Sequence, residues 1–298
     1  MDLPEALSGI TTPLVTPFED GSSQIDEDAF TDLIDHLLEA GIDGVFPCGT
    51  TGEFASLSRE EHSRVVELAV EHVDGEVPVL AGAAATSVHD AVAHAETAAE
   101  LGADAAVLTP PYFHTANAPE GNQRFLKQVA DRSPLPILLY NIPVCTGQRI
   151  EPETLAAVAT HENVIGIKDS SGDLEYFLSV LRNTPDEFLM LQGYDALLVP
   201  ALRMGADGGV NALSNVAPEE YAELYETAHT ERGEELQDAI APLFDACGSY
   251  GFGPATKTAL EYRGVIPSDA VRPPLVEVPE DGRAAIGESV DGLVESGD

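Results

Sequence analysis

The sequence predicts a single-domain α/β protein, a (β/α)8 barrel with additional C-terminal helices. Short apolar runs recur eight times, and segments with apolar residues at three- and four-residue spacing separate them. No GxGxxG turn follows the first run, as an open doubly wound sheet would usually show. At 298 residues the chain has the length of one such barrel. We assign residues 1–215 to the barrel core and 216–298 to helices that pack on it within the same domain.

Each predicted strand is an apolar run of the kind expected for a parallel sheet covered on both faces. The eight runs lie at residues 9–17, 44–49, 77–83, 105–110, 136–141, 164–169, 188–193 and 208–213. Between them, Ser58 and Glu61 predict a capping box at the start of one helix, and Gly102 is placed to end another. After residue 215 the pattern is helical only.

The sequence is strongly acidic. It has 52 Asp and Glu residues against 14 Lys and Arg residues, a formal net charge of −38 at pH 7. Repulsion of this size destabilises a compact fold unless salt screens it, and the Debye length falls to about 3 Å at 1 M salt. The composition therefore predicts a protein of a high-salt cytoplasm. It disfavours nucleic acid and membranes as partners, because their anionic surfaces are bound by clustered Lys and Arg.

Composition argues against several further classes of protein. No apolar run reaches the roughly 20 residues that span a bilayer, and the N-terminus lacks a basic-then-apolar signal pattern, so we expect a cytoplasmic protein. Cys48, Cys145 and Cys247 lie far apart, and the eight histidines are dispersed. This spacing favours reduced thiols over disulfides and predicts no metal site.

Lysine is rare in this chain, and Lys168 ends a predicted strand. In a parallel barrel the functional groups lie at the C-terminal ends of the strands. Of the other two lysines, Lys127 lies on a predicted surface helix and Lys257 at a helix end that could reach the barrel mouth. A buried lysine is costly unless it is paired or its pKa is lowered. Lys168 is thus either an ion-pair partner of Asp169 or an amine that attacks a ketone to form an imine.

Two other segments reach the same end of the predicted barrel. Tyr140 ends the strand before Lys168, where its phenol could transfer protons or could cap the core with its hydroxyl in water. The segment GTTGE at 49–53 follows the second strand. Its small residues let N–H groups and two hydroxyls converge on a carboxylate, although an ordinary strand-to-helix turn has a similar composition.

Three segments together resemble the dihydrodipicolinate synthase and N-acetylneuraminate lyase superfamily of pyruvate-dependent aldolases. They are GTTGE at 49–53, YNIP at 140–143 and GIKDSSGD at 166–173. The resemblance extends from TPLVTPF near the N-terminus to RPPL at 272–275. It implies an enzyme that needs no cofactor, because the keto acid bonds covalently to the protein. It also implies a homo-oligomer, commonly a tetramer.

The resemblance implies roles for individual residues. Lys168 forms the Schiff base with pyruvate, and Tyr140 is the general acid and base that handles the substrate hydroxyl. Thr50 and Thr51 hold the pyruvate carboxylate. Thr51 also links Tyr140 to a proton relay, which Tyr112 completes across a subunit boundary in some members. Two further positions match residues that line the pyruvate pocket, namely Gly193 and Val210.

One position departs from the dihydrodipicolinate synthases. These typically continue YNxPxRTG, with an arginine that binds the carboxylate of the aldehyde, whereas Cys145 stands at that position here. Losing a buried charge-assisted contact costs on the order of 2–5 kcal/mol unless another base, such as Arg149, substitutes. Without this arginine, and with GVNALSN and RPPL, the sequence is more similar to the 2-keto-3-deoxygluconate aldolases.

We therefore predict a class I aldolase that cleaves 2-keto-3-deoxy-gluconate, its 6-phosphate or both to pyruvate and glyceraldehyde or its phosphate, as in the Entner–Doudoroff pathway. Ser170, Asn211 and Ser214 would contact the hydroxylated tail of this substrate. The alternatives are 4-hydroxy-tetrahydrodipicolinate (dihydrodipicolinate) synthase, which condenses pyruvate with aspartate semialdehyde, and a sugar-acid dehydratase. The third alternative is a barrel without catalytic activity that binds a keto acid as a regulator.

Overall fold

A computed structural model describes residues 3–296 of the chain. Eight parallel strands follow one another in the order β2-β1-β8-β7-β6-β5-β4-β3. A parallel bridge between Val45 and Val79 joins the two ends of this sheet and closes the ring. The predicted (β/α)8 barrel with additional C-terminal helices is confirmed.

The strands are shorter than the apolar runs that predict them. They are β1 (Ile10–Thr12), β2 (Gly44–Val45), β3 (Leu80–Gly82), β4 (Ala105–Leu108), β5 (Ile137–Asn141), β6 (Val164–Asp169), β7 (Leu189–Gln192) and β8 (Gly208–Val210). The largest differences follow β1 and β2, where Pro13 and Pro47 lack the N–H group that a sheet ladder requires. The chain leaves the sheet at these prolines and continues as the loops of the barrel mouth.

Helices alternate with the strands and then continue beyond them. They are α1 (Leu3–Ala6), α2 (Glu27–Glu39), α3 (Arg59–Val73), α4 (Val88–Leu101), α5 (Pro119–Ala130), α6 (Pro143–Thr146), α7 (Pro152–Val158), α8 (Leu174–Asn183), α9 (Leu198–Arg203), α10 (Pro218–Thr227), α11 (Glu231–Tyr250), α12 (Phe252–Tyr262) and α13 (Glu280–Glu295). The predicted capping box of Ser58 and Glu61 begins α3, and Gly102, with φ 95°, ends α4. Within residues 3–296, no helix is long and apolar enough to cross a membrane.

The C-terminal helices bring a distant part of the chain back to the barrel mouth. α10 follows β8, the last strand, and α11 packs against α10, α12 and α13. The domain boundary predicted at residue 215 lies at the end of a 3-10 turn, Ala212–Asn215, just before α10. Beyond α12, Pro274 and Leu275 line the same cavity as Thr50. The site described below is therefore built from both parts of the chain.

Buried apolar side chains form two layers, because successive side chains of a strand point to opposite faces. The larger layer lies between the strands and the surrounding helices. The smaller one fills the barrel interior and consists of Leu7, Phe46, Leu80, Ala105, Val107, Leu138, Tyr140, Ile142, Leu189, Leu191 and Val210. Tyr140 closes this inner layer at the C-terminal end of β5. Polar groups at that end of the barrel therefore stand on an apolar floor.

Thermal stability is expected to increase with salt concentration. The 14 Lys and Arg residues cannot compensate 52 acidic residues, so most of the surface carboxylates repel one another. Raising KCl from 0.1 M to 2 M should increase Tm because it screens this repulsion. Differential scanning calorimetry measures the change, and NaCl at equal ionic strength is the control for a potassium-specific effect. The same Tm at both concentrations would contradict the prediction.

Candidate active site

Lys168 lies inside the barrel mouth. It pairs in register with Tyr140 across β5 and β6, and its side chain is buried. The Lys168 Nζ atom lies 4.3 Å from the ring centroid of Tyr140 and 5.3 Å from that of Phe46. Among residues 3–296, Lys168 forms no salt bridge. The amine is thus held against two aromatic rings instead of a carboxylate.

Burial lowers the pKa of Lys168 to about 7, while the negative charge of Asp195 acts in the opposite direction. Asp169, the alternative ion-pair partner, is committed elsewhere. Its carboxylate accepts hydrogen bonds from Asn141 Nδ2 at 2.7 Å and from the Ser171 hydroxyl at 2.9 Å. A substantial fraction of Lys168 is therefore neutral near pH 7, which is the state that can attack a carbonyl carbon.

Tyr140 supplies a protonated phenol next to this amine. Burial raises the pKa of Tyr140, and the hydroxyls of Ser170 and Thr50 lower it as hydrogen-bonding partners. The hydroxyl of the 49–53 loop that acts on Tyr140 is thus the one of Thr50, whereas the sequence predicted this link for Thr51. Thr51 is also buried. Tyr140 can donate a proton to a developing alkoxide and can be reprotonated through its hydroxyl neighbours.

Gly193, at the end of β7, leaves room for the Lys168 side chain. A Cβ atom at residue 193 would lie 2.3 Å from Ser170 Oγ and 2.7 Å from Lys168 Cε. The Ser170 hydroxyl donates a hydrogen bond to the Gly193 carbonyl at 2.9 Å. Val210 lies fully buried in the inner layer of the barrel. The structure therefore brings Gly193 and Ser170 to the lysine and places Val210 within the barrel interior.

A cavity of about 240 Å³ opens at this end of the barrel. Its lining includes Thr50, Glu53, Phe54, Thr109, Tyr112, Ile142, Cys145, Pro274 and Leu275. Tyr112 meets Phe54 edge to face, with ring centroids 6.5 Å apart. Thr109 is buried, and its hydroxyl has no hydrogen-bond partner among the described residues. The wall of the cavity is mostly apolar, and its polar groups are mainly hydroxyls.

The position that departs from the synthase pattern, Cys145, lies on the cavity wall. Arg149 does not line the cavity. Its guanidinium lies 3.6 Å from the carboxylate of Glu151 and 3.7 Å from that of Asp173, and it stands over the ring of Tyr176. Arg149 therefore does not take the place of the arginine that Cys145 replaces.

Asn211 and Ser214 lie outside the cavity lining, unlike the prediction that they contact a substrate tail. A Cβ atom at Gly209 would lie 2.1 Å from Asn211 Oδ1 and 2.8 Å from Leu198 Cδ1, so the amide is on the helix-facing side of β8. The 3-10 turn after β8 buries Ser214, whose hydroxyl donates to the Asn211 carbonyl at 2.7 Å. Side-chain alternation along β8 directs Val210 inward and Asn211 outward.

Two buried acidic residues near the mouth were not identified as site residues from the sequence. Asp195 accepts hydrogen bonds from the Tyr221 hydroxyl at 2.6 Å and the Leu213 N–H at 3.1 Å, and its charge acts on Lys168. Its position two residues after Gly193 is the only local signal for it. Glu53 ends the GTTGE segment and is paired with Lys257, which is fully buried on α12. Lys257 is therefore a second buried lysine, but one with a partner.

The sequence of the chain matches the Dihydrodipicolinate synthetase family over residues 6–292, and the chain belongs to this family. Enzymes of the family form a Schiff base between a lysine and pyruvate and use no cofactor. Among residues 3–296, no group of three His, Cys, Asp or Glu residues could hold a metal ion. The chain is a pyruvate-dependent class I enzyme of the lyase type.

Individual relatives agree in sequence and in structure. The 4-hydroxy-tetrahydrodipicolinate synthase of Methanopyrus kandleri is 39% identical over 281 residues, which are 92% of either chain. The solved structure of the synthase of this name from Methylacidiphilum fumariolicum SolV has a TM-score of 0.91 and 32% identity, covering 97% of this chain and 96% of that one. A prophage protein of the dihydrodipicolinic acid synthase family from E. coli K12, solved in complex with pyruvate, has a TM-score of 0.90 at 30% identity and covers 96% and 98%.

These relatives overturn the prediction of a 2-keto-3-deoxy-gluconate or 6-phosphogluconate aldolase. Curated proteins that are 35–39% identical over more than nine-tenths of the chain are named 4-hydroxy-tetrahydrodipicolinate synthase. The prediction was wrong because it gave Cys145 on the cavity wall, together with the short segments GVNALSN and RPPL, more weight than the similarity of the rest of the chain. It also counted Asn211 and Ser214 as substrate contacts, although the structure buries both away from the cavity.

The rate of imine formation with pyruvate is expected to follow the neutral fraction of Lys168. With a pKa of about 7, this rate should rise about tenfold between pH 6 and pH 8 and then level off. An unshifted lysine, with a pKa of 10.5, would instead give a rise of about a hundredfold without a plateau. Rapid-quench trapping with borohydride and intact-mass detection measures the rate, with Lys168→Ala as the blank. A profile that still climbs steeply above pH 8 would contradict the lowered pKa.

Proposed function

We propose that the chain catalyses the reaction of 4-hydroxy-tetrahydrodipicolinate synthase, the condensation of pyruvate with aspartate semialdehyde. The observation that carries this proposal is the juxtaposition of Lys168 and Tyr140, 4.3 Å from amine to ring centroid, in a chain similar to such synthases over nearly its whole length. The amine supplies the nucleophile and the phenol supplies the proton. The apolar floor beneath them keeps water away from the imine.

The reaction begins at Lys168. Its neutral amine attacks C2 of pyruvate, the carbonyl oxygen leaves as water, and an imine forms. Loss of a proton from C3 gives an enamine, whose C3 adds to the aldehyde carbon of the second substrate. Tyr140 donates a proton to the aldehyde oxygen, which becomes a hydroxyl. The amino group of the second substrate then attacks C2, releasing Lys168 and closing the ring.

The hydroxyls of Thr50, Tyr112 and Ser170 support these proton transfers in our proposal. Thr50 acts on Tyr140 and lines the same cavity as Tyr112, which favours a relay through Tyr140, Thr50 and Tyr112 in place of one through Thr51. Thr51 and Thr50 both belong to the loop that would hold the pyruvate carboxylate. The Ser170 hydroxyl is fixed by its hydrogen bond to the Gly193 carbonyl. Because it is also a hydrogen-bonding partner of Tyr140, it helps to orient the Tyr140 hydroxyl.

We also propose that the chain forms a homo-oligomer, with a tetramer as the expected state. Phe113 and Val144 are large apolar residues that are 78% and 87% exposed. They adjoin the cavity-lining residues Tyr112 and Cys145 in the sequence, so a partner that covers them would also border the cavity. Burial of such side chains against a second copy favours association.

The wild-type protein is expected to consume aspartate semialdehyde when pyruvate is present. Borohydride with pyruvate should trap one adduct per chain on Lys168, located by peptide mass analysis, because this amine is the nucleophile. Lys168→Ala should lose both the adduct and at least about a thousandfold of the activity, as expected when a covalent catalyst is removed. A coupled assay for the cyclic product measures turnover.

Two results would contradict different parts of this proposal. A wild-type protein without an adduct on Lys168 would remove the Schiff-base mechanism. An adduct on Lys168 together with pyruvate release from a keto-deoxy sugar acid, and without consumption of aspartate semialdehyde, would leave the mechanism and overturn the substrate.

Cys145→Arg is expected to raise kcat/KM for aspartate semialdehyde by about tenfold. Cys145 lines the cavity, so a guanidinium there would meet the carboxylate of the incoming aldehyde, and a charge-assisted hydrogen bond contributes about 1.5–3 kcal/mol. At pH 8, where Lys168 is already mostly neutral, the rate of imine formation with pyruvate alone should not change. Steady-state kinetics with either substrate varied measures both.

Val276→Arg is the matched control, because it adds the same charge at a residue that is 73% exposed and does not line the cavity, although it follows Leu275, which does. An equal gain in both variants would show that general electrostatic attraction, and not a contact at residue 145, is responsible.

A further inference from the structure

Glu53 is a buried carboxylate directly behind the loop that carries Thr50 and Thr51. Its backbone is left-handed, with φ 55° and ψ 33°, a conformation that non-glycine residues rarely adopt. Its side chain is completely buried, although it belongs to a loop at the barrel mouth. A glutamate that is both strained in its backbone and removed from water requires strong partners.

Those partners come from the opposite end of the chain. Lys257, on α12, donates a hydrogen bond to Glu53 Oε1, and the backbone N–H of Arg272 donates to Oε2 at 3.0 Å. Lys257 also donates to the Ala270 carbonyl at 2.8 Å and lies 4.0 Å from the ring centroid of Phe18. Each carboxylate oxygen of Glu53 therefore has a donor from the segment after α11.

The other side of the same loop is held by the N-terminal part of the barrel. The Thr16 hydroxyl donates to the Gly52 carbonyl at 2.8 Å. A Cβ atom at Gly52 would lie 2.8 Å from the Leu14 carbonyl oxygen, so the loop backbone packs directly against the chain after β1. The two residues that follow Thr51 are thus anchored, Gly52 by neutral contacts and Glu53 by an ion pair.

A buried ion pair contributes little net stability, because removing both charges from water costs about as much as their attraction provides. Such pairs are better explained where they select one conformation. The conformation selected here is the left-handed turn at Glu53, which closely follows Thr50, a residue of the cavity lining. Lys257 therefore acts at a distance from the substrate, through Glu53.

We infer that Glu53 and Lys257 are positioning residues that set the loop for binding the pyruvate carboxylate. This inference rests on the proposed Schiff-base function. The pair does not touch the reacting atoms, so it is expected to control how tightly pyruvate binds before the imine forms and to leave the reactivity of Lys168 unchanged. Loss of the pair should therefore raise the pyruvate concentration needed for half-maximal imine formation.

The test compares Glu53→Gln, Lys257→Met and the double variant E53Q/K257M in the full-length protein. Borohydride trapping at increasing pyruvate gives the half-saturating concentration and the maximal rate of adduct formation on Lys168. All three variants are expected to raise the half-saturating concentration about tenfold, while the maximal rate and the pH midpoint near 7 stay within about twofold and a few tenths of a pH unit.

The double variant separates positioning from stability. Each single variant leaves one buried charge without a partner and is expected to lower Tm, whereas the double variant removes both charges and should recover much of that loss. Its half-saturating pyruvate concentration should nevertheless stay high, because the loop is no longer held. A double variant that folds and binds pyruvate like the wild type would overturn the inference. The double variant provides this test even where a single variant fails to fold.

Asp269→Asn is the matched control for the C-terminal segment. Asp269 pairs with Arg283 at 2.6 Å and accepts from the Thr258 hydroxyl at 2.7 Å, and among residues 3–296 it forms no hydrogen bond or salt bridge with the 49–53 loop. This variant is expected to lower Tm and to leave half-saturation by pyruvate unchanged. An equal increase in Asp269→Asn would attribute the effect to general loosening of the segment. A wild-type protein that forms no adduct would instead contradict the proposed function itself.

Discussion

The removal of the Lys168 amine from water is the constraint on which the rest of the site depends. An ammonium group between the rings of Tyr140 and Phe46 is poorly solvated, so its pKa falls to about 7 and the amine becomes a nucleophile. The surrounding structure accommodates this group. Gly193 leaves space for its stem, and the inner apolar layer of the barrel excludes water beneath it.

The second buried lysine shows why the partner decides the chemistry. Burial also lowers the pKa of Lys257, to about 8, but this ammonium has the carboxylate of Glu53, the Ala270 carbonyl and the face of Phe18 around it. These groups favour the charged form, so Lys257 remains an ion-pair partner. The two lysines at the same end of one barrel thus differ in their chemistry, because only Lys257 forms an ion pair with a carboxylate.

The site has two regions. One contains residues that match the motifs of the family, and the other contains Cys145, which departs from them. Lys168, Tyr140 and the loop with Thr50 form the region where pyruvate would bind, at the C-terminal ends of the barrel strands. Cys145 lies on the cavity wall, where a second substrate would enter. Weighing that residue together with GVNALSN and RPPL led to the wrong substrate, because the residues proposed to carry the Schiff-base chemistry do not depend on the wall. Similarity over the whole chain supports the synthases instead.

Local patterns in the sequence were sufficient for the eight strands, the Ser58–Glu61 capping box, the Gly102 helix end and the pairing of Tyr140 with Lys168 on neighbouring strands. These features depend on periodicity and on residues close together in the chain, and they include much of the candidate active site. Only the tertiary structure decided that Thr50 faces Tyr140, that Asn211 faces the helices and that Glu53 meets a lysine 204 residues away. The physical reason is that barrel closure and the packing of α12 determine these contacts, and neither leaves a periodic signal in the sequence.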